Sequence, residues 1–188
     1  MSKERSDFSE KHLLRLAAQG DKEAYGVLYE RYLDEIYRYV TYRVGDPQEA
    51  EDITANVFVR TWERLPKMAR RHRNSSSFRG WLYRVAKNLV VDFYRRREPM
   101  PLPDGLHKED GLVEGIAAQH TKANQLVEAI SLLQSDYQQI IILRFINQLS
   151  HKECANIMKR SVGATRVLQH RALERLREII QNESTEAR

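Results

Sequence analysis

The chain is poor in residues that several common kinds of protein depend on. It has one cysteine, so no disulfide can close within it and no cysteine-rich zinc cage can form. A lone thiol in 188 residues suits a reducing compartment. Only 8 glycines and 5 prolines occur, which argues against a turn-rich all-β fold and for helices. No apolar run reaches the roughly 18 residues needed to cross a bilayer. The opening MSKERSDFSEK lacks the apolar stretch of a secretion signal. The expectation is a soluble cytoplasmic protein with no membrane insertion.

The usual signatures of nucleotide and metal chemistry are missing too. There is no P-loop, no glycine-rich phosphate cradle and no Cys/His set at zinc spacing. The six histidines, at 12, 72, 107, 120, 151 and 170, are scattered. Glu49, Glu51 and Asp52 could imitate a magnesium site, but they sit where a helix start favours negative charge. No enzyme is expected, and no catalytic residue, metal or cofactor.

What is present is enough apolar residue for a core and an uneven charge. Hydrophobic residues make up 41% and charged residues 30%. The net charge of +5 conceals blocks of opposite sign. Residues 65–97 carry ten basic side chains against Asp92 alone, and residues 134–188 are also net basic. The segments 1–64 and 98–133 are net acidic. Two separated basic blocks suggest two polyanion contacts, nucleic acid first among them, rather than solvated surface alone.

Helix signals recur along the chain and no period-2 pattern persists. Ser9 caps a first helix that stops at Gly20, and Asp21 starts a second that ends at Gly45. Asp46-Pro47-Gln48-Glu49 opens a third, expected to end near Leu65 because Pro66 follows. Residues 66–77 read as a basic polar loop. A fourth helix then spans 78–97, with Asp92 expected to pair with Arg96 one turn on. Residues 98–110 hold three of the five prolines and read as linker. Helix signals resume near Leu112 and run to about Leu133. Capping boxes at Ser135–Gln138 and Ser150–Glu153 open two further helices, ending near Phe145 and Met158. Ser161 caps a last helix to about Ile180, followed by a frayed tail. The fold expected is all-α: a four-helix domain over 1–97, a linker over 98–121 and a small helical domain over 122–188.

Two segments carry chemistry. The short helix 151–158, a tight turn and the helix from 162 form a helix-turn-helix, with Ala155 small at the crossing and Leu168, Ala172 and Leu176 facing inward. Such a motif lays its second helix in the major groove, where Arg can read guanine and Gln adenine. The second segment, Ser77-Phe78-Arg79-Gly80-Trp81-Leu82-Tyr83-Arg84-Val85-Ala86-Lys87-Asn88-Leu89-Val90-Val91-Asp92-Phe93-Tyr94-Arg95-Arg96-Arg97, interleaves aromatics with cations. Aromatics stack on unpaired bases and cations hold phosphates. Trp81 reads as core first and stacking platform second.

These strings together closely resemble the bacterial extracytoplasmic-function (ECF, group 4) sigma factors of the sigma-70 family, the two-domain class of promoter-recognition subunits of RNA polymerase. The string 77–97 resembles the family's promoter-melting segment. Glu49-Ala50-Glu51-Asp52-Ile53, with Phe58 and Trp62, is similar to its polymerase-binding helix. Residues 132–178 resemble its C-terminal helix-turn-helix domain. Ala55 and Asn56 stand where members often carry Gln-Glu, and Cys154 stands in a common Glu-Ile-Ala. Cys154 therefore reads as a small buried hydrophobe.

The resemblance implies a transcription initiation factor with three contact surfaces. Core RNA polymerase would be bound through Glu49, Glu51, Asp52, Asn56 and Arg60. The −10 element would be captured and melted by His72, Asn74 and Ser75 in the loop, which would hold a flipped base. Arg79, Trp81, Arg84, Lys87, Asn88, Arg95 and Arg96 on the following helix would complete that surface. The −35 duplex would be read by Arg160, Ser161, Arg166, Gln169, His170 and Arg171. An anti-sigma factor is the further partner that the family leads one to expect. Two other readings compete: a helix-turn-helix repressor that binds duplex operators as a dimer, and an enzyme acting on nucleic acid. The first does not account for the aromatic and cationic helix 78–97, and the second lacks the nucleotide and metal signatures noted above.

Overall fold

The computed structural model describes residues 8–71, 77–97 and 122–186, with side chains over 8–67, 77–96 and 126–182. Every regular element among them is helical. Helix α1 spans Glu10–Ala18, α2 Lys22–Val44, α3 Pro47–Arg71 and α4 Phe78–Arg97. After the linker come α5 (Lys122–Ser131), α6 (Ser135–Ile141) and a π-helical turn (Ile142–Ile146) that continues α6. Then come α7 (His151–Met158) and α8 (Val162–Glu186).

Local chemistry explains most of the boundaries. The Ser9 hydroxyl accepts from the His12 amide at the start of α1, and the Asp21 carboxylate accepts from the Ala24 amide at 3.0 Å at the start of α2. Gly45 ends α2 in the left-handed region, at φ 78°, where a side chain would be strained. Asp46 accepts from the Glu49 amide at 3.0 Å to open α3, and Ser77 accepts from the Gly80 amide at 3.1 Å to open α4. Ser150 and Glu153 form the full reciprocal capping box at α7. Ser161 caps α8 through the Ala164 amide at 3.1 Å.

Three expected boundaries differ. Helix α3 passes through Pro66 and continues to Arg71. Proline forfeits one backbone bond, but Leu65 is fully buried before it and Lys, Met, Ala and Arg after it are good helix formers. Ser135 is not a cap: it is the first residue of α6 behind Gln134, and its hydroxyl and carbonyl both accept from Arg43. Helix α8 runs to Glu186 rather than stopping near Ile180. Residues 98–121, and with them the linker and the start of the expected helix at Leu112, lie outside the described residues.

Helix α2 is the axis of the N-terminal domain, with α1, α3 and α4 packed around it. Leu28, Ile36, Tyr39, Val57, Phe78, Leu82, Tyr83 and Val90 are buried there, and Tyr39 meets Tyr83 edge to face at 5.2 Å. Phe58 is core, as expected, while Trp81 is half-buried with its ring 6.1 Å from Phe78. In the C-terminal domain α8 crosses α5, α6 and α7. Ile140, Ile142, Leu143, Leu149, Cys154 and Ala172 fill its centre. Burial of this kind contributes about 1.5–3 kcal/mol per large apolar side chain. The C-terminal domain is docked on the N-terminal one, with α7 against α4 and the π turn and α5 against α2. The buried apolar residues of both domains join in one cluster.

Candidate nucleic-acid interface

Helix α4 buries one face in the N-terminal core and turns the other outward. Leu82, Val85, Ala86, Leu89 and Val90 are buried, whereas Asn88, Arg95 and Arg96 are exposed. Asn88 is exposed on the side of α4 away from the core. Asp92 pairs with Arg95 at 3.1 Å, three residues on, and not with Arg96 as expected. Both spacings lie on one helix face, and this rotamer of Arg95 takes the carboxylate. Arg84 is half-buried, and burial pushes its pKa down. His72, Asn74 and Ser75 lie outside the described residues, and the segment between α3 and α4 is shorter than expected because 66–71 are helical.

Arg79 and Lys87 are half-buried on α4, and carboxylates engage them. The Arg79 guanidinium donates from Nε to Glu35 at 2.5 Å and from Nη1 to Glu153 at 2.8 Å. Glu35 also accepts from the buried Tyr83 hydroxyl at 2.7 Å. Burial alone would lower the Arg79 pKa, but the bond and charge of Glu35, with further help from Glu153, raise it. Partial burial works against ionised Glu153, yet the Ser150 bonds and Arg79 outweigh it and lower its pKa. Lys87 Nζ lies 3.9 Å from Asp136, whose other oxygen accepts from Arg160 at 2.5 Å.

The helix-turn-helix presents a second polar face. Leu168, Ala172 and Leu176 point inward as expected. Arg166, His170 and Arg171 are exposed on α8, with His170 Nδ1 3.3 Å from Glu174. Gln169 is half-buried at the edge of the inward stripe, where Arg144 Nε donates to its carbonyl oxygen at 3.1 Å. Ser161 serves as the helix cap, and Arg160 is engaged by Asp136. On α3, Glu51, Asp52 and Asn56 are exposed, and Glu49 and Arg60 are half-buried. Asn56 Nδ2 donates back to the Asp52 carbonyl at 2.9 Å. Among the described residues no three His, Cys, Asp or Glu side chains converge to hold a metal ion, and no helix is long and apolar enough to cross a membrane.

Comparison with known proteins decides the family. Residues 28–99 match Sigma-70 region 2 and residues 123–176 match Sigma-70, region 4. The chain is 31% identical over 174 residues to the ECF RNA polymerase sigma factor SigD of Mycobacterium tuberculosis, covering 87% of this chain and 80% of that one. This chain is an ECF sigma factor of the sigma-70 family. It is also 31% identical over 182 residues to the ECF sigma factor BldN of Streptomyces coelicolor, covering 92% of this sigma factor but 66% of that relative's length. Two solved structures share its fold. CnrH in complex with the cytosolic domain of CnrY matches with a TM-score of 0.68 at 21% identity, covering 92% of this chain and 97% of that one. The sigma factor RpoE in complex with the anti-sigma factor NepR from Bartonella quintana matches at 0.60 and 18% identity, covering 81% and 94%.

The polar partners of this sigma factor's cations escaped the sequence reading. Glu35, Arg43, Arg144 and Asn147 carry no motif, Asp136 stands out only within an expected capping box, and all find their partners far along the chain or across the domain boundary. One signal was available: Glu35 falls one residue before Ile36 on the inner side of α2, where a carboxylate needs a cationic or hydroxyl partner.

Proposed function

We propose that this promoter-recognising initiation factor divides its work among three helices. Exposed Glu51, Asp52 and Asn56 on α3, with Glu49 and Arg60 beside them, bind core RNA polymerase. Helix α4 and the segment before it capture the −10 element and hold its melted non-template strand. There Asn88, Arg95 and Arg96 meet bases and phosphates beside half-buried Arg84, and Arg79 and Lys87 join once their carboxylate partners release them. A flipped base costs about a few kcal/mol of unstacking, which contacts to an unpaired strand offset. Helix α8 enters the major groove of the −35 duplex and reads it with Arg166, His170 and Arg171, while Arg160, Ser161 and Gln169 support that contact.

The observation that carries this reading is the pair of cation-bearing outer faces, on α4 and on α8, in the two domains that match sigma regions 2 and 4. The protein works in the cytoplasm, performs no catalysis of its own and is held by an anti-sigma factor. The complex of the RpoE relative with NepR supports that last partner. Run-off transcription from a promoter pool, with purified core polymerase and with or without this protein, tests the reading. New, defined start sites are expected. Duplex binding without any directed start would overturn it in favour of a repressor.

A further inference from the structure

Thr165, Leu168, Ala172, Leu176 and Ile179 are buried on α8 and fix the direction in which the helix faces its own domain. At about 100° per residue, all five fall within about 40° of Ala172. Measured from that inward direction, Arg166 stands about 120° to one side, Arg171 about 100° to the other and His170 about 160° round. These three exposed side chains frame the outer face. Gln169 lies only about 60° from the inward direction. It is half-buried there, and Arg144 Nε donates to its carbonyl oxygen at 3.1 Å. Arginine has no acceptor, so the amide must turn its oxygen to the π turn and keeps only N–H donors for another partner. Adenine is recognised by a donor and an acceptor together. Gln169 is placed to brace α8 against the π turn, not to read adenine.

Val167 occupies the outer face instead. It lies about 140° from the inward direction, one turn before His170 and Arg171. It is 53% exposed and takes no part in the buried core. Val162, Leu173 and Ile180, also exposed on α8, fall together on the Arg166 flank, about 80–100° from the inward direction. Val167 is set apart from them on the Arg171 side. Gly163 and Ala164, one turn earlier, are exposed beside it, and a Cβ at Gly163 would meet no other group within 4 Å. Valine and glycine both form helix less well than alanine, and packing offsets neither here. A local choice that weakens an element without a gain inside the fold points to a contact outside it.

The surroundings indicate which contact. An apolar side chain with low neighbours, framed by Arg166, His170 and Arg171, suits a surface that is anionic yet carries an isolated apolar group. Duplex DNA is such a surface: phosphates line its backbone, and the thymine 5-methyl stands in the major groove. An apolar protein partner would need a wider apolar patch and would bury the arginines. We propose that Val167 is a specificity-determining residue that recognises a thymine of the −35 duplex through its 5-methyl group, with Gly163 and Ala164 leaving room for the base edge. The inference rests on α8 entering the major groove, as proposed above. Contact with the methyl discriminates thymine from cytosine, which offers an N4 donor in the groove and no methyl.

The test uses the full chain bound to core polymerase and a promoter from which it directs starts. Each thymine of the −35 element, on either strand, is replaced singly by deoxyuridine, which removes the methyl and nothing else. One replacement should weaken binding about fourfold, the worth of one buried methyl-sized group. Val167→Ala should bind the thymine promoter more weakly and lose that sensitivity, holding thymine and uracil alike. Val167→Ile should retain it. Val167 is exposed and alanine favours helix, so the variant keeps its fold, and circular dichroism checks this. A wild type indifferent to every replacement would overturn the assignment, as would a Val167→Ala protein that still loses fourfold at the same position. A −35 element without thymine on either strand would overturn it too. Arg166→Ala separates the premise from the inference. If it weakens promoter binding while uracil has no effect, Val167 alone is misassigned; if neither matters, α8 is not the reading helix.

Discussion

The Glu35 carboxylate is where the fold and the cation of α4 meet, and its removal gives a sharp prediction. Its side chain is 14% exposed, and it accepts from Arg79 and from the Tyr83 hydroxyl. Tyr83 is fully buried and Glu35 is its hydroxyl's partner. Tyr83→Phe loses a bond to a charged acceptor, worth about 1.5–3 kcal/mol. Glu35→Gln keeps an oxygen that can accept one bond but removes the charge. The full cost of breaking a buried pair is about 3–5 kcal/mol. Because Arg79 is 29% exposed and keeps Glu153, about 2–3 kcal/mol is expected here. The two changes share one hydrogen bond, so the double variant should be less destabilised than the separate losses together, by about 1–2 kcal/mol. Urea unfolding of the wild type, both single variants and the double variant measures this. Additive losses, agreeing within about 0.5 kcal/mol, would show that Tyr83 and Glu35 do not act as a unit and would refute the reasoning.

Four further outcomes are expected. Arg166→Ala should weaken duplex promoter binding by about 1–3 kcal/mol and relax preference at one base position, read by titration against single-base promoter variants. Asn88→Ala should reduce promoter opening, followed by permanganate reactivity, more than it reduces duplex binding. Burial pushes the Cys154 thiol up to about 11, so iodoacetamide at pH 8 should leave the folded protein unmodified and label it only after unfolding. The Glu153 pKa is lowered in the folded state from its ordinary value of 4.5. Its contribution is therefore whole above about pH 4.5 and is lost as pH falls further, because the unfolded chain takes up the proton first. Urea midpoints against pH should show that decline in the wild type and less of it in Glu153→Gln.

Local signals were readable in the sequence wherever a single side chain caps its own helix. Ser9, Asp21, Asp46, Ser150 and Ser161 all cap where their spacing suggested. Ser135 carries the same signature and does not, because Arg43, remote in sequence, claims its hydroxyl. No local pattern encodes that competition. Pro66 misled for a related reason: a fully buried Leu65 and helix-forming neighbours carry α3 past a residue that ends most helices. The candidate site divides in the same way. Asn88, Arg166 and Arg171 stand exposed as the amphipathic pattern implied. Arg79, Lys87 and Arg160 share their residue types, yet each is engaged by a carboxylate that only the tertiary fold brings near. Exposure follows periodicity, whereas ion-pair partners follow topology.

The π turn at Ile142–Ile146 makes chain length itself a structural variable. There the Asn147 amide reaches back five residues to Ile142, and the Leu149 amide reaches back to Leu143, both at 2.9 Å. A π turn holds about one more residue than the α-helical turn it replaces, and each residue rotates a helix by about 100°. Deleting one residue would let the helix rewind regularly but would swing everything after it around the axis. Asn147 would leave the Glu35 carbonyl, and Arg144 would leave Gln169 and the Leu149 carbonyl. The segment therefore tolerates exchange of one apolar side chain for another far better than a change in its number of residues. A single-codon deletion here would misalign the helix-turn-helix without altering any residue in it.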